Sequence, residues 1–199
     1  MIHSLFPINL YKASIDVDWN KSQVIDRLNQ YFEKQIVDGE IVRTLHKEPL
    51  FGPIVTFMDQ SVAQYWKELQ YHELYPITIC SMWANKMIGD HQFPYPIENH
   101  SPAIISVVFY VNKDLDMGNI YFANPLEHMW QTQPLSSTRR YDKSICEVEA
   151  VTGDLLCFPS WINHGVKPNR TSKERLVVAA DYELKGLSAI KKIRSMGSL

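Results

Sequence analysis

Downstream of Pro76 the chain alternates short runs of β-branched and aromatic residues with turn residues, and few folds accept that pattern. The runs are Ile77 to Asn85, Ala103 to Val111, Asn119 to Ala123, Ile145 to Val151, Asp154 to Pro159 and Arg175 to Tyr182. Val, Ile, Phe and Tyr dominate them, so each reads as a strand. DLLCFP, from Asp154 to Pro159, is apolar after its first residue, as a core strand is.

Upstream the period changes from two to 3.6. Val24, Ile25, Leu28, Tyr31, Phe32 and Ile36 fall on one helical stripe, with Ser22 as the expected N-cap and Gly39 as the stop. Val62, Trp66 and Leu69 predict a second helix, capped by Asp59 or Ser61 and ended by Pro76. The intervening HKEPLFGPIVTFMD, rich in turn residues, reads as a loop. A short strand is expected from Leu5 to Ala13. Helices followed by six strands predict a mainly β, α+β fold, with the helices packed on one face of an antiparallel β domain.

The 199 residues suit one domain, divided as 1–76 (strand and supporting helices), 77–184 (β core) and 185–199 (basic tail). The tail, LKGLSAIKKIRSMGSL, reads as a solvated amphipathic helix. A formal net charge of −2 gives no global basic field for nucleic acid. No apolar run reaches the roughly 18 residues of a membrane span. The N-terminus has no signal-peptide pattern. Cys80, Cys146 and Cys157 are odd in number and widely spaced, so they read as buried thiols in a reducing compartment, the cytoplasm. The sequence leaves the oligomeric state open, a homodimer included.

Chemistry concentrates at two places. His164 follows the turn Pro-Ser-Trp-Ile-Asn, and Arg175 opens a strand eleven residues later, so the two groups are expected on neighbouring antiparallel strands. An imidazole at a strand end can ligate a metal, and a guanidinium in the same pocket can hold a carboxylate through two parallel hydrogen bonds. Upstream, Glu98 and His100 lie two apart in an extended segment and point the same way. With His164 they would make two imidazoles and a carboxylate, a set that suits non-haem Fe(II) with three open positions. A polar surface loop is the competing reading of PYPIENHSP. Tyr110 shares a strand face with Ile104, Ser106 and Val108, and its hydroxyl could reach the carboxylate that Arg175 holds.

These residues resemble the Fe(II)- and 2-oxoglutarate-dependent oxygenases, above all the small prolyl-hydroxylase-like group common in marine bacteria and phages. The resemblance runs through LFPINLYKA, MWANK, HSPAIISVVFYVNKD and GNIYFANP, and is most specific in GDLLCFPSWINHGVKPNRTSKERLVVAADY. It implies a double-stranded β-helix (jelly roll, cupin-like) core. It makes His164 the distal iron ligand, Arg175 the partner of the 2-oxoglutarate C5 carboxylate and Tyr110 its assistant. It places His100 on the second position of the proximal His-x-Asp or His-x-His pair.

Two positions depart from the family pattern. Glu98 stands where the first His is expected, and Val177 where a Ser often lies. Glu98 can be the carboxylate of a triad in reversed order, or His91 in GDHQFPYP can supply the ligand. A third possibility is a degenerate site in a binding or structural module. The resemblance implies Fe(II) as cofactor, 2-oxoglutarate and O2 as co-substrates, and hydroxylation of a peptide or protein side chain, most simply proline. Trp83, Phe93, Tyr95, Trp130 and Trp161 are candidates to line a substrate cleft.

Overall fold

Alternation along the long strands sorts their side chains into two cores. The computed structural model describes residues 7–71, 76–89, 95–127 and 144–185. Its elements in chain order are β1 (Tyr11–Ser14), α1 (Lys21–Asp38), α2 (Gly52–Glu68), β2 (Ile77–Met87), β3 (Tyr95–Glu98), β4 (Ile105–Asn112), β5 (Ile120–Ala123), β6 (Ile145–Val148), β7 (Asp154–Pro159), β8 (His164–Val166) and β9 (Arg175–Leu184). The strands form a five-stranded sheet, ordered β1-β7-β4-β9-β2, and a four-stranded sheet, ordered β3-β8-β5-β6. Neighbouring strands run antiparallel in both. Two facing sheets of this kind, with helices on the outside of one, are the expected double-stranded β-helix.

On β4, Ile105, Val107, Phe109 and Val111 face outward and pack with Val24, Leu28 and Tyr31 of α1 and Ile54, Met58 and Val62 of α2. Leu176, Val178, Ala180 and Tyr182 of β9 do the same. The residues between them point inward. Tyr110, Leu156, Phe158 and Val177 meet Ile120 and Phe122 of the smaller sheet in a second core. The functional side chains belong to this inner face, because a period of two fixes every inward position once one is known.

The helix boundaries differ from the expectation. α1 opens after Asn20, whose φ of 57° turns the chain into the helix, so Ser22 lies inside the first turn and caps nothing. Gly39 ends it as expected, with φ 68°. Val24, Leu28 and Tyr31 are buried, but Ile36 is 85% exposed, beyond the reach of the sheet. The segment read as a loop contains two 3-10 turns, Leu45–Lys47 and Pro49–Phe51, and then the start of α2. Gly-Pro there begins the helix instead of breaking it, because a proline in the first turn gives up an N–H that has no helical partner. Asp59 and Ser61 are therefore mid-helix, and the helix stops at Glu68, before Pro76.

β1 begins at Tyr11, and residues 1–6 of the expected opening strand lie outside the described residues. Cys157 is buried, but Cys80 and Cys146 are exposed on sheet edges, so only one of the three thiols matches the expectation; all three are free. No helix among the described residues is long and apolar enough to cross a membrane. Residues 186–199 of the tail lie outside the described residues.

Candidate metal and co-substrate site

β3 and β8 were not expected from the sequence, and they build the site. His164 is the first residue of β8, paired with Glu98 of β3 on one side and Phe122 of β5 on the other. The strand register thus places a carboxylate beside an imidazole. Gly165 follows, and a Cβ there would stand 2.6 Å from the Tyr121 hydroxyl, so glycine lets β5 close against β8. His100 lies just beyond β3, with its backbone N–H donating to the Ser160 carbonyl at 2.8 Å. One ligand atom each from Glu98, His100 and His164 lies within 4.8 Å of the others. Among the described residues this is the cluster with metal-holding geometry.

The two imidazoles stack, with centroids 5.2 Å apart and planes inclined by 28°. His164 is buried against Phe158, edge to face at 4.9 Å. Its Nδ1 lies 3.1 Å from the Ile162 carbonyl, so Nδ1–H donates there and the Nε2 lone pair is left for a metal. Burial lowers its pKa, an effect the Ile162 carbonyl partly offsets, and His100 lowers it further. A depressed imidazole stays neutral, as a ligand must. His100 Nε2 faces Glu98 Oε1 at 3.8 Å. The Glu98 side chain is 61% exposed, so the metal corner opens to the surface.

A cavity of about 240 Å³ joins this corner to Arg175. Its walls include Trp83, Met87, Val108, Ile120, Val177 and Ala179. His164 and Arg175 reach it from facing sheets, β8 in the smaller and β9 in the larger, and not from neighbouring strands as expected. The ten residues between them carry the chain from one sheet to the other. Arg175 is buried, its Cζ 5.4 Å from the Tyr110 ring centroid. Tyr110 is fully buried, and its hydroxyl makes no hydrogen bond of good geometry among the described residues. Burial raises its pKa and the Arg175 cation lowers it. A carboxylate entering the cavity would accept from Tyr110 and Arg175 together.

A protein-family model described as "Putative 2OG-Fe(II) oxygenase" matches residues 81–181, about half of the chain. The chain belongs to this oxygenase family. The matched stretch contains β3, β8 and the whole cavity wall from Trp83 to Ala179. Among solved structures, the oxygenase is similar to AviO1 of Streptomyces viridochromogenes, with 11% identity over 88% of this chain and 90% of that one, at a TM-score of 0.58. HygX of Streptomyces hygroscopicus, solved with nickel and 2-oxoglutarate bound, gives 12% identity, 89% and 83% coverage and a TM-score of 0.58. SnoN, a non-heme α-ketoglutarate-dependent epimerase from nogalamycin biosynthesis, gives 13% identity, 88% and 76% coverage and 0.59. At these identities the likeness establishes a shared fold. No curated protein sequence matches the chain.

The structure brings all five singled-out residues to one cavity or its wall: Glu98, His100, His164 and Arg175 line it, and Tyr110 packs against Arg175. Val177, the second departure noted in the sequence, is part of the lining. His91, Phe93 and Trp130 lie outside the described residues, as does the Tyr95 side chain. Of the expected cleft aromatics, Trp83 lines the cavity, while Trp161 is half-exposed on the turn before β8 and not part of the wall. Two buried groups went unnoticed in the sequence. Asp181 stands beside His100, and the Lys113 ammonium lies 5.9 Å from the centre of the Tyr110 ring. Counting by twos from Arg175 along RLVVAADYEL would have found Asp181 on the inner face.

Proposed function

We propose that this oxygenase binds Fe(II) through Glu98, His100 and His164, anchors the C5 carboxylate of 2-oxoglutarate with Arg175 and Tyr110, and hydroxylates a peptide or protein side chain. The observation that carries the reading is that the two imidazoles, the carboxylate and the buried guanidinium open onto one cavity. The donor set fits the metal: two nitrogens and one oxygen on one side suit Fe(II) and leave positions for a keto acid and O2. The carboxylate precedes both histidines in the chain, which reverses the usual order and preserves the chemistry.

Fe(II) and 2-oxoglutarate together supply an oxidation in which the keto acid loses CO2 to become succinate and one oxygen atom of O2 enters a substrate C–H bond. The protein's own residues supply the rest. Arg175 and Tyr110 fix one end of the dicarboxylate, so its keto-acid end is directed at the ligand cluster. The apolar walls, Val108, Ile120, Val177 and Ala179, exclude water from that path and strengthen the carboxylate pairing by lowering the local dielectric. Ile162 keeps His164 in the tautomer a metal needs.

A macromolecular substrate is supported by the openness of the corner at Glu98 and the exposed Ile97 beside it, where a side chain projecting from a peptide can enter. Proline is the simplest such side chain by family analogy. We read residues 1–199 as one oxygenase-like domain, supported by β1, which ties the N-terminal segment to β7 of the barrel. Three free thiols support a cytoplasmic setting. The test is succinate formation from 2-oxoglutarate after anaerobic loading with Fe(II) and admission of O2, with peptide libraries screened for a gain of one oxygen atom. The reading expects peptide-stimulated succinate in the native protein and none in His164→Ala. A folded native protein that binds neither Fe(II) nor 2-oxoglutarate would instead be a binding or structural module.

A further inference from the structure

We infer that Asp181 is a positioning residue for the iron site: it sets the tautomer and orientation of His100, and Ser106 with Ser160 holds Asp181 in turn. The inference rests on His100 being a metal ligand, as proposed above.

His100 has each ring nitrogen beside a different carboxylate. Nε2 lies 3.8 Å from Glu98 Oε1. Nδ1 lies 3.6 Å from Asp181 Oδ2. A metal at the Glu98 corner takes the Nε2 lone pair, which requires the proton to sit on Nδ1. A carboxylate facing Nδ1 favours that tautomer and turns the ring toward the metal. The 3.6 Å separation is longer than a formed hydrogen bond, so at this distance the carboxylate acts on the ring through its charge.

Asp181 is placed where a carboxylate needs a reason to be. It is 8% exposed, and the residues two and four before it on the inner row of β9 are Ala179 and Val177. Burying a carboxylate there is costly without hydrogen bonds. The Ser106 hydroxyl supplies one, donating to Asp181 Oδ1 at 2.8 Å. The Ser160 hydroxyl lies 2.9 Å from that of Ser106 and can donate to it. Ser160 also accepts the His100 backbone N–H at 2.8 Å. The network therefore meets His100 twice, holding its main chain through the Ser160 carbonyl and setting a carboxylate beside its ring. Trp83 closes the remaining face, its ring 5.4 Å from that of His100.

The experiment compares native protein, Asp181→Ala and Asp181→Asn in two measurements. Long-range 1H–15N spectra of metal-free protein report the tautomer of His100, assigned by its loss in His100→Gln. Anaerobic Fe(II) titration reports affinity. We expect Nδ1–H in the native protein and in Asp181→Asn, whose amide oxygen still accepts. In Asp181→Ala the proton should move to Nε2 and Fe(II) affinity fall roughly 10–100-fold. Native-like tautomer or affinity in Asp181→Ala overturns the inference and leaves the metal site standing. A native protein that does not bind Fe(II) overturns both, and the native titration alone reveals it. Should Asp181→Ala fail to fold, Ser106→Ala removes the hydroxyl that holds Asp181. It must then shift the tautomer and weaken Fe(II) binding, and an unchanged result overturns the inference.

Discussion

Arg175 and Tyr110 illustrate how much a single side chain is asked to do in this site. Both are buried, both carry donors, and the Arg175 guanidinium that lines the cavity packs over the Tyr110 ring. A guanidinium that pairs two carboxylate oxygens in low dielectric contributes more than a neutral hydroxyl. Arg175→Ala should therefore weaken 2-oxoglutarate binding by about two orders of magnitude, from roughly 2–3 kcal/mol of charge-assisted bonding. Fe(II) affinity should change little. Tyr110→Phe should cost roughly tenfold or less, the worth of one neutral hydrogen bond. Calorimetric titration of the metal-loaded protein with 2-oxoglutarate checks both. Equal losses of metal and 2-oxoglutarate affinity in Arg175→Ala would place the guanidinium in the fold's support, not in ligand binding.

The elements show what a linear pattern reveals and what it hides. Phe109 of β4 packs edge to face with Trp19 at 5.1 Å and lies 6.3 Å from Phe57 of α2, where helices and sheet meet. Phe109→Ala should cost roughly 3–5 kcal/mol, while Ile36→Ala on the exposed flank of α1 should change stability by less than about 0.5 kcal/mol. Urea unfolding of the two variants measures the contrast. β4, β7 and β9 were legible because long runs of β-branched and aromatic residues are a strong local signal, and they carry Tyr110 and Arg175. β3 and β8 were not, since four and three residues are too few for a period and β3 holds a proline. Glu98 was thus read as a plausible ligand in an apparent loop, whereas its pairing opposite His164 comes from long-range register. The α2 boundary failed for another reason: Gly-Pro is a turn signal in most contexts and a helix start in this one. Asp181 and Lys113 were missed because a charged residue in an apolar run says nothing of its partners until the strands are placed.

At the scale of the whole molecule, the larger sheet divides two functions. Its outer face and helices form a dry core with ionisable groups held neutral. Burial raises the pKa of Cys157, and also of Tyr65 and Tyr182, the last with help from the Asp59 carboxylate that accepts its hydroxyl at 2.7 Å. A folded pKa above the unfolded value means the stabilising contribution is present below the unfolded pKa and lost above it. Stability should therefore fall as pH rises past 9, with Cys157 accounting for roughly 1–2 kcal/mol between pH 8 and 10. Urea midpoints at those pH values, in native protein and Cys157→Val, test this; a slope unchanged by the substitution would count against it. The inner face holds the proposed chemistry, and its completeness depends on the one ligand that departs from the family pattern. The direct test is anaerobic titration with Fe(II) and then 2-oxoglutarate, read by the metal-to-keto-acid absorption band, in native protein and in Glu98→Ala. The account predicts about one iron per chain and a clear band in the native protein, with both lost or greatly weakened in Glu98→Ala. A native protein with no band, or a Glu98→Ala variant with the native band and affinity, would contradict it.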